Sequence, residues 1–345
     1  MSAADRGMTD DLVVARDLSR RFDVSKPWLN RVIERLPKTW LHAVSDVSFA
    51  IRAGEVYSLV GESGSGKSTI GKMVVGLLAP TSGSVEIEGI DLHRSDDEAA
   101  VARVRSDIQM IFQDPYASLN PRWKVARIIE EPAKAQGKPV VLEDGAGMAE
   151  RLLEQVGLAA RDAGKFPHEF SGGQRQRICV ARALASEPKL IVADEPTSAL
   201  DVSVQAQVLN LMSDLRERLG LTYLLISHDL TVVQHMSDRI GVLYLGRLVE
   251  ESAADSLFET PRHPYTQMLI EAAPRLDGFG REVAPPEGEI PDPTDPPPGC
   301  PYHPRCPYAV DRCKAELPLL REMDGGRVAC HRAEEIAAML EPQAA

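Results

Sequence analysis

The sequence has little basic charge and no long apolar run. Its 345 residues include 39 lysines and arginines against 51 aspartates and glutamates, for a formal net charge of -12 at pH 7. Such a charge argues against nucleic acid as a partner, because broad nucleic-acid binding normally needs a basic surface. No apolar stretch approaches the roughly 18 residues that would predict a membrane-spanning helix. Residues 1–11 are polar and acidic, unlike a signal peptide, so we expect a cytosolic chain unless another subunit holds it at a membrane.

Cysteine is scarce and unevenly placed. Cys179 stands alone, whereas Cys300, Cys306, Cys313 and Cys330 crowd the C-terminal end. In a reducing compartment such a cluster favours a metal site over a pair of disulfides. The composition is otherwise that of an ordinary globular protein, with 43% hydrophobic and 26% charged residues.

Segments with strand-like patterns alternate with segments of helical periodicity, which favours an α/β core. The predicted strands are Leu12–Phe22 (as an edge strand), Ala43–Ile51, Glu55–Val60, Val85–Ile90, Leu190–Ala193, Leu221–Ile226, Ile240–Tyr244 and Arg247–Glu250. The predicted helices are Lys67–Leu78, Met148–Val156, Gln174–Ser186, Val204–Leu219 and Leu230–Met236. Asp23–Trp40 is predicted to be an irregular insert and the proline- and glycine-rich Ala284–Gly299 an extended linker.

The segment Gly61–Ser68 fits the phosphate-loop pattern G-x-x-x-x-G-K-[ST]. Its glycines let backbone N–H groups close around phosphate oxygens, and the following helix directs its positive end at them. Lys67 would reach the β- and γ-phosphates of ATP and Ser68 would hold Mg²⁺, while Thr69 could donate to the α-phosphate. The candidate phosphate-binding residues are Gly61, Ser63, Gly64, Ser65, Gly66, Lys67, Ser68 and Thr69.

An acidic pair follows a fully apolar predicted strand. Asp194 and Glu195 would therefore lie at the carboxyl edge of a parallel sheet, where open α/β sheets bind ligands. Successive strand residues point to opposite sides, so the two carboxylates can take different roles. Asp194 would organise Mg²⁺ through water, and Glu195 would orient the attacking water or accept its proton.

The segment Phe170–Arg177, Phe-Ser-Gly-Gly-Gln-Arg-Gln-Arg, resembles the signature motif of the ATP-binding cassette (ABC) family, with Phe170 where leucine is usual. Ser171, Gly172 and Gly173, with Gln174 beginning the predicted helix, offer a second anion-binding helix start. A capping serine with flexible glycines would account for Ser171 but not for the other three. The resemblance implies a head-to-tail dimer in which each ATP lies between one subunit's phosphate loop and its partner's signature segment.

The resemblance also implies roles for residues whose types alone say little. His228 would contact the γ-phosphate and help to position the water. Gln113 would link Mg²⁺ to the membrane-facing subdomain, and Asp201 would belong to the D-loop. Phe22 would stack on adenine, with Trp40 as a rival.

The implied fold is an α/β P-loop NTPase cassette with a RecA-like core, an antiparallel β-subdomain and a helical subdomain, followed by a small Cys-rich C-terminal extension. We predict a tail over residues 1–11, the nucleotide-binding domain over 12–255, with its helical subdomain at about 114–186, and the extension over 256–345. The extension would hold the proline-rich linker and the four-cysteine metal site.

Three further strings resemble the ATPase subunits of oligopeptide and dipeptide importers: Asp114–Arg122, His263–Thr266 and Cys300–Pro307. The resemblance implies an ATP-hydrolysing subunit at the cytoplasmic face of the membrane, with a second cassette (identical or a paralogue), two membrane-spanning permease subunits and an extracytoplasmic substrate-binding protein. Other cargo (nickel, sugars or opines) stays open. A soluble cassette that clamps nucleic acid or ribosomes is the rival class, but it tends to have two cassettes, a coiled coil or a basic linker, which this chain lacks.

The cysteine spacing does not choose between Zn²⁺ and an iron–sulfur cluster. Related importer subunits carry a [4Fe–4S] cluster at such cysteines, so the resemblance favours that group. Unbound thiols remain an alternative, and His303 and His331 could substitute for cysteine in a zinc site. Cys179, inside the predicted signature helix, is expected to be a small buried residue.

Overall fold

The computed structural model describes residues 11–34, 37–142, 145, 147–273 and 288–340. The strands are β1 (Asp11–Asp23), β2 (Trp40–Arg52), β3 (Val56–Val60), β4 (Ser82–Ile87), β5 (Ile90–Asp91), β6 (Ile108–Ile111), β7 (Leu190–Asp194), β8 (Thr222–Ile226), β9 (Arg239–Tyr244), β10 (Arg247–Ala253), β11 (Arg321–Met323) and β12 (Gly326–Val328). The α-helices are α1 (Trp28–Glu34), α2 (Lys67–Val74), α3 (Glu98–Ser106), α4 (Pro115–Ser118), α5 (Val125–Ala135), α6 (Met148–Gln155), α7 (Gly172–Leu184), α8 (Val202–Leu219), α9 (Leu230–Met236), α10 (Ala254–Glu259), α11 (Pro264–Ala272), α12 (Asp311–Ala315) and α13 (Ala333–Leu340).

The larger sheet has eight strands in the order β11-β12-β10-β9-β3-β8-β7-β6. The five strands from β9 to β6 run parallel, and the other three pair antiparallel. Every residue of β3, β7 and β8 is buried, as expected for central strands of a parallel sheet covered on both faces. The alternation of strands and helices correctly predicted this α/β core.

The smaller, antiparallel sheet has the order β2-β1-β4-β5, so β1 pairs on both sides. The prediction of an edge strand was therefore wrong. The polar interruptions that suggested an edge coincide with bulges, because the register shifts between Ala15 and Leu18, where Asp17 has φ of 48°. Ala15 and Leu18 themselves are buried.

Helices α4 to α7 lie between β6 and β7 in the chain and form the region predicted to be helical. Ile128, Ile129, Leu153 and Ile178 are fully or almost fully buried in the core that these helices share with one face of the larger sheet. This packing places α4, after β6, and the start of α7 beside the edge where the parallel strands end.

Several predicted boundaries need correction. Asp23–Trp40 is not wholly irregular, since it contains α1. Helix α2 ends at Val74 rather than Leu78, because the backbone turns at Gly76 with φ of 77°. The predicted tail lies outside the described residues except for Asp11, and so do residues 284–287 of the predicted linker; residues 288–299 form no helix or strand.

The described part of the C-terminal extension continues the larger sheet. Strands β11 and β12 form a hairpin, and β12 pairs with β10 through Glu250 and Val328. Among the described residues, no helix has both the length and the apolar character that crossing a membrane requires.

Candidate nucleotide-hydrolysis site

The phosphate loop, Gly61–Ser68, joins β3 to α2 and depends on glycine for its shape. A Cβ atom on Gly61 (φ 148°) would lie 2.2 Å from the carbonyl oxygen of Leu243, and one on Gly66 (φ 103°) 2.3 Å from that of Ala43. Because both obstacles are backbone atoms, no side chain fits at either position. The loop therefore brings its amides to the N-terminus of α2, an anion-binding arrangement.

Lys67 lies beneath this loop with its ammonium group directed into it. Its Nζ donates hydrogen bonds to the carbonyl oxygens of Gly61 (2.6 Å) and Glu62 (2.9 Å) and to the hydroxyl of Ser65 (3.3 Å). Burial lowers the pKa of Lys67, and the nearby Glu195, Asp194 and Glu62 oppose that shift. The cation is thus held among carboxylates at the predicted phosphate position.

Ser68 and Asp194 form the predicted magnesium pair. The Ser68 hydroxyl donates to Oδ1 of Asp194 at 2.8 Å. Burial raises the pKa of Asp194, an effect that the Ser68 hydrogen bond partly offsets and the neighbouring Glu195 adds to. A hydroxyl and a carboxylate side by side supply the hard oxygen ligands that Mg²⁺ prefers. Thr69 lies in the first turn of α2, next to this pair.

Glu195 is the centre of a three-residue array. Its Oε2 accepts a hydrogen bond from Gln113 Nε2 at 2.7 Å, and its Oε1 lies 3.1 Å from Nδ1 of His228. The three side chains come from loops after β6, β7 and β8, whose carboxyl ends meet at one edge of the sheet. Glu195 has φ of 48°, and its N–H donates to the carbonyl of Ile226 at 2.8 Å. The fold therefore brings all three predicted catalytic residues together.

The signature segment, Phe170–Arg177, begins α7. Ser171 is its N-cap and forms a reciprocal capping box with Gln174: the Ser171 N–H donates to Gln174 Oε1 at 3.0 Å and the Gln174 N–H to Ser171 Oγ at 3.4 Å. A Cβ on Gly173 would lie 2.2 Å from Cγ1 of Val204 in α8, whereas one on Gly172 would have ordinary contacts. The view that helix capping explains only Ser171 was wrong, because local packing also accounts for Gln174 and Gly173.

The two candidate adenine-stacking residues belong to successive cross-strand pairs of β1 and β2, so their side chains point to opposite faces of the sheet. Phe22 faces Leu41 across the strand pair, and Asp23 faces Trp40. The Arg20 guanidinium lies 4.7 Å from the Phe22 ring centroid. Both rings are half-buried, so stacking by either one stays a prediction. Asp201, the N-cap of α8, is exposed and also keeps only its predicted role.

Two residues of the phosphate-loop environment were missed. The Tyr265 hydroxyl accepts the backbone N–H of Glu62 at 2.8 Å. Arg305 forms a two-pronged ion pair with the Glu62 carboxylate, Nη1 to Oε2 at 2.8 Å and Nη2 to Oε1 at 3.0 Å. No local sequence pattern indicates these contacts, although Tyr265 and Arg305 lie in strings that resemble the importer subunits.

The four C-terminal cysteines line one small cavity of about 10 Å³, together with His263, His303 and His331. Burial raises the pKa of Cys300 to about 12 and that of Cys330 to about 11. It also raises the pKa of Cys306. Within the described ranges, no group of three or more His, Cys, Asp or Glu side chains is arranged to hold a metal ion. Cys179, by contrast, is buried in the helical core, as predicted.

Comparison with known proteins identifies the class that this fold and site define. Residues 44–198 match the family model described as ABC transporter, and residues 249–313 match that of the oligopeptide/dipeptide transporter C-terminal region. The dimeric post-hydrolysis structure of the ATP-binding cassette MJ0796, bound to ADP and Pi, is 30% identical with a TM-score of 0.60 and covers 70% of this chain and 98% of its own. The CbiO1 structure from Clostridium perfringens is 25% identical with the same TM-score of 0.60 and covers 73% of this chain and 92% of its own.

Curated relatives narrow the class. The oligopeptide transport ATP-binding protein AppF of Bacillus subtilis is 45% identical over 335 residues, 96% of this chain and 99% of its own length. The dipeptide transport ATP-binding protein DppF of Escherichia coli is 43% identical over 97% of this chain and 98% of its own length. The chain therefore belongs to the ATP-binding subunits of ABC transporters that carry the oligopeptide/dipeptide-type C-terminal region. Subunits of this family couple ATP hydrolysis to transport, so the chain is an ATPase.

Proposed function

We propose that the chain powers the uptake of di- and oligopeptides from the cytoplasmic face of the membrane. The peptide-transport names of relatives that align over nearly the whole chain support this cargo, as does the match of residues 249–313. The partners would be two membrane-spanning permease subunits, a second cassette and an extracytoplasmic substrate-binding protein.

The single observation that carries hydrolysis is the Glu195 array. With Mg·ATP bound at Lys67, Ser68 and Asp194, Glu195 would orient a water toward the γ-phosphate and accept its proton. Gln113 and His228 hold the two oxygens of that carboxylate, so they would fix the direction from which the water approaches. Gln113, which follows the sheet edge, would also contact Mg²⁺.

The start of α7 would act on a second subunit. The N-terminus of this 13-residue helix, with the Ser171 hydroxyl, can receive a γ-phosphate presented by a partner chain. Each dimer would then contain two ATP sites, each completed by Ser171, Gly172, Gly173 and Gln174 of the opposite subunit, with Asp201 of the D-loop at the interface.

The four-cysteine cavity would hold a structural [4Fe–4S] cluster, with Zn²⁺ as the alternative. The backbone N–H of Arg332 donates to Sγ of Cys330 at 3.4 Å, and such bonds stabilise thiolate ligands in metal centres. Four thiols around one cavity, two of them from the buried Cys300 and Cys313, supply the donor set of either group. The metal group would cross-link the extension and would take no part in ATP hydrolysis.

Transport in a reconstituted system tests the cargo. With its permeases, partner cassette and binding protein in proteoliposomes, the chain should drive ATP-dependent accumulation of a labelled tripeptide. Uptake of nickel, a sugar or an opine, with no uptake of di-, tri- or longer peptides, would contradict the peptide assignment. Glu195→Gln in the same preparation is the control for transport without hydrolysis.

Anaerobic purification tests the metal. Iron and sulfide in a stoichiometry of four each, with a brown colour, are expected, and both should be lost in Cys313→Ser. Stoichiometric zinc in colourless protein would show that the site holds Zn²⁺ and not an iron–sulfur cluster. Free thiols, with neither iron nor zinc in the protein, would contradict both metal assignments.

A further inference from the structure

Glu62, the second residue of the phosphate loop, is held on three sides. Its carbonyl accepts from Lys67, its N–H donates to the Tyr265 hydroxyl, and its carboxylate pairs with Arg305. Only the first of these contacts comes from the loop itself. The other two come from the C-terminal extension, which lies about 200 residues or more away in the sequence.

The Arg305 contact is buried and specific. The Arg305 side chain is only 3% exposed and that of Glu62 is 23% exposed. A two-pronged pair of a guanidinium with a carboxylate fixes both position and orientation. A side chain so deeply buried cannot rotate into solvent, so its charge stays beside the phosphate loop.

Three tyrosines support both contacts. The ring centroids of Tyr244 and Tyr265 lie 4.6 Å apart, those of Tyr244 and Tyr302 5.1 Å, and those of Tyr265 and Tyr302 5.4 Å. Tyr244 ends β9, which pairs with the strand that leads into the phosphate loop. Aromatic packing of this kind holds side chains in defined positions, so the extension and the loop form one packed unit.

We propose that Tyr265 and Arg305 are positioning residues for ATP binding: Tyr265 fixes the backbone of the phosphate loop, and Arg305 cancels the charge of Glu62 beside the triphosphate. Without Arg305, the Glu62 carboxylate would stand uncompensated next to an anionic ligand. The Glu62 carbonyl oxygen accepts a hydrogen bond from Nζ of Lys67 at 2.9 Å, so the residue that Arg305 holds is in direct contact with the phosphate-binding lysine. The proposal rests on ATP binding by the family and on neither the peptide cargo nor the metal.

Titration of the purified full-length chain with a fluorescent ATP analogue and Mg²⁺ tests the proposal. Arg305→Gln should raise the Kd about tenfold, the equivalent of one charge-assisted interaction, and should raise it less for the ADP analogue. Tyr265→Phe should raise the Kd about fivefold, as expected when a backbone N–H loses its acceptor. Matched controls are Arg312→Gln, which removes an exposed ion pair with Glu316 in the same extension, and Tyr223→Phe, which removes a buried hydroxyl; both should stay within about twofold.

Rescue separates charge compensation from a merely structural role. In Glu62→Gln/Arg305→Gln no charge is left to compensate, so the double variant should bind at least about threefold more tightly than Arg305→Gln. A double variant no tighter than the single one would overturn the role of Arg305, as would wild-type affinity in Arg305→Gln. If thermal unfolding shows that Arg305→Gln is misfolded, Tyr265→Phe decides, and wild-type affinity there overturns the proposal. A different cargo in the transport assay would leave all these constants unchanged.

Discussion

At the scale of single residues, the site separates binding from chemistry. Lys67, Ser68 and Asp194 contact one another or the loop and would hold Mg·ATP. Glu195, although it lies near Lys67, has different direct contacts, with Gln113 and His228. Removing the Glu195 charge should therefore impair hydrolysis while leaving the binding group intact.

Replacing Glu195 by glutamine tests that separation. Glu195→Gln should lower kcat by about 100-fold or more, since it removes the general base, and should keep the affinity for Mg·ATP. Phosphate release and fluorescent-nucleotide binding measure the two quantities. Glu217→Gln, an exposed position on α8, is the matched control, and near-normal turnover in Glu195→Gln would refute the assignment.

At the scale of elements, the antiparallel sheet depends on a close backbone approach. A Cβ on Gly83 of β4 would lie 2.3 Å from the carbonyl oxygen of Asp17 and 2.5 Å from that of Arg16, at the bulge of β1. Gly89, between β4 and β5, has a similar positive φ of 75° but nothing within 4 Å of its Cβ position. Gly83 therefore has both a positive φ and a close backbone contact, whereas Gly89 has only the positive φ.

Alanine at these positions should destabilise the fold to different degrees. Gly89→Ala should cost about 1 kcal/mol of unfolding free energy, the penalty for a left-handed backbone at alanine. Gly83→Ala should cost a further ~1–3 kcal/mol, because the strands must move apart. Urea denaturation measures both, and equal losses would show that β1 and β4 do not approach as closely as described.

The elements that the sequence predicted well are those whose pattern depends on local burial. The structure places the ends of two elements at or within one residue of their predicted positions: Leu190–Ala193 and Leu230–Met236. Central strands and amphipathic helices are predictable because each has a characteristic pattern of hydrophobic residues. The position of β1 inside its sheet was not predictable, since the polar residues at a bulge look like those of an exposed edge. The same limit applies to Arg305, whose contact with the phosphate loop depends on tertiary packing and leaves no local pattern.

At the scale of the whole molecule, the signature segment is a candidate anion-binding surface that takes no part in the ATP site proposed for its own chain. Its capping box and its contact with Val204 set its shape, whereas its proposed ligand would come from another subunit. If two copies of this chain pair head to tail, a defect in the loop of one copy and a defect in the signature of another should fall on the same ATP site.

Mixing two inactive variants tests this arrangement. Lys67→Ala and Ser171→Arg should each lack ATPase activity, but their mixture should recover about a quarter of the wild-type rate, since half of randomly paired dimers would hold one intact site. Lys67→Ala mixed with Lys67→Ala/Ser171→Arg is the control and should recover nothing. No recovery in the first mixture would exclude a shared site between two copies of this chain.

The hairpin of β11 and β12 has a consequence for solubility. It leaves the larger sheet with a three-residue outer strand carrying Arg321 and Glu322, and short charged outer strands resist pairing with other chains. A chain cut before residue 321 would instead end its sheet at β10, seven residues long and largely buried in the intact fold. Its unpaired amides and carbonyls would then be open to strands of neighbouring molecules, so we expect the shortened chain to aggregate more readily than the intact one.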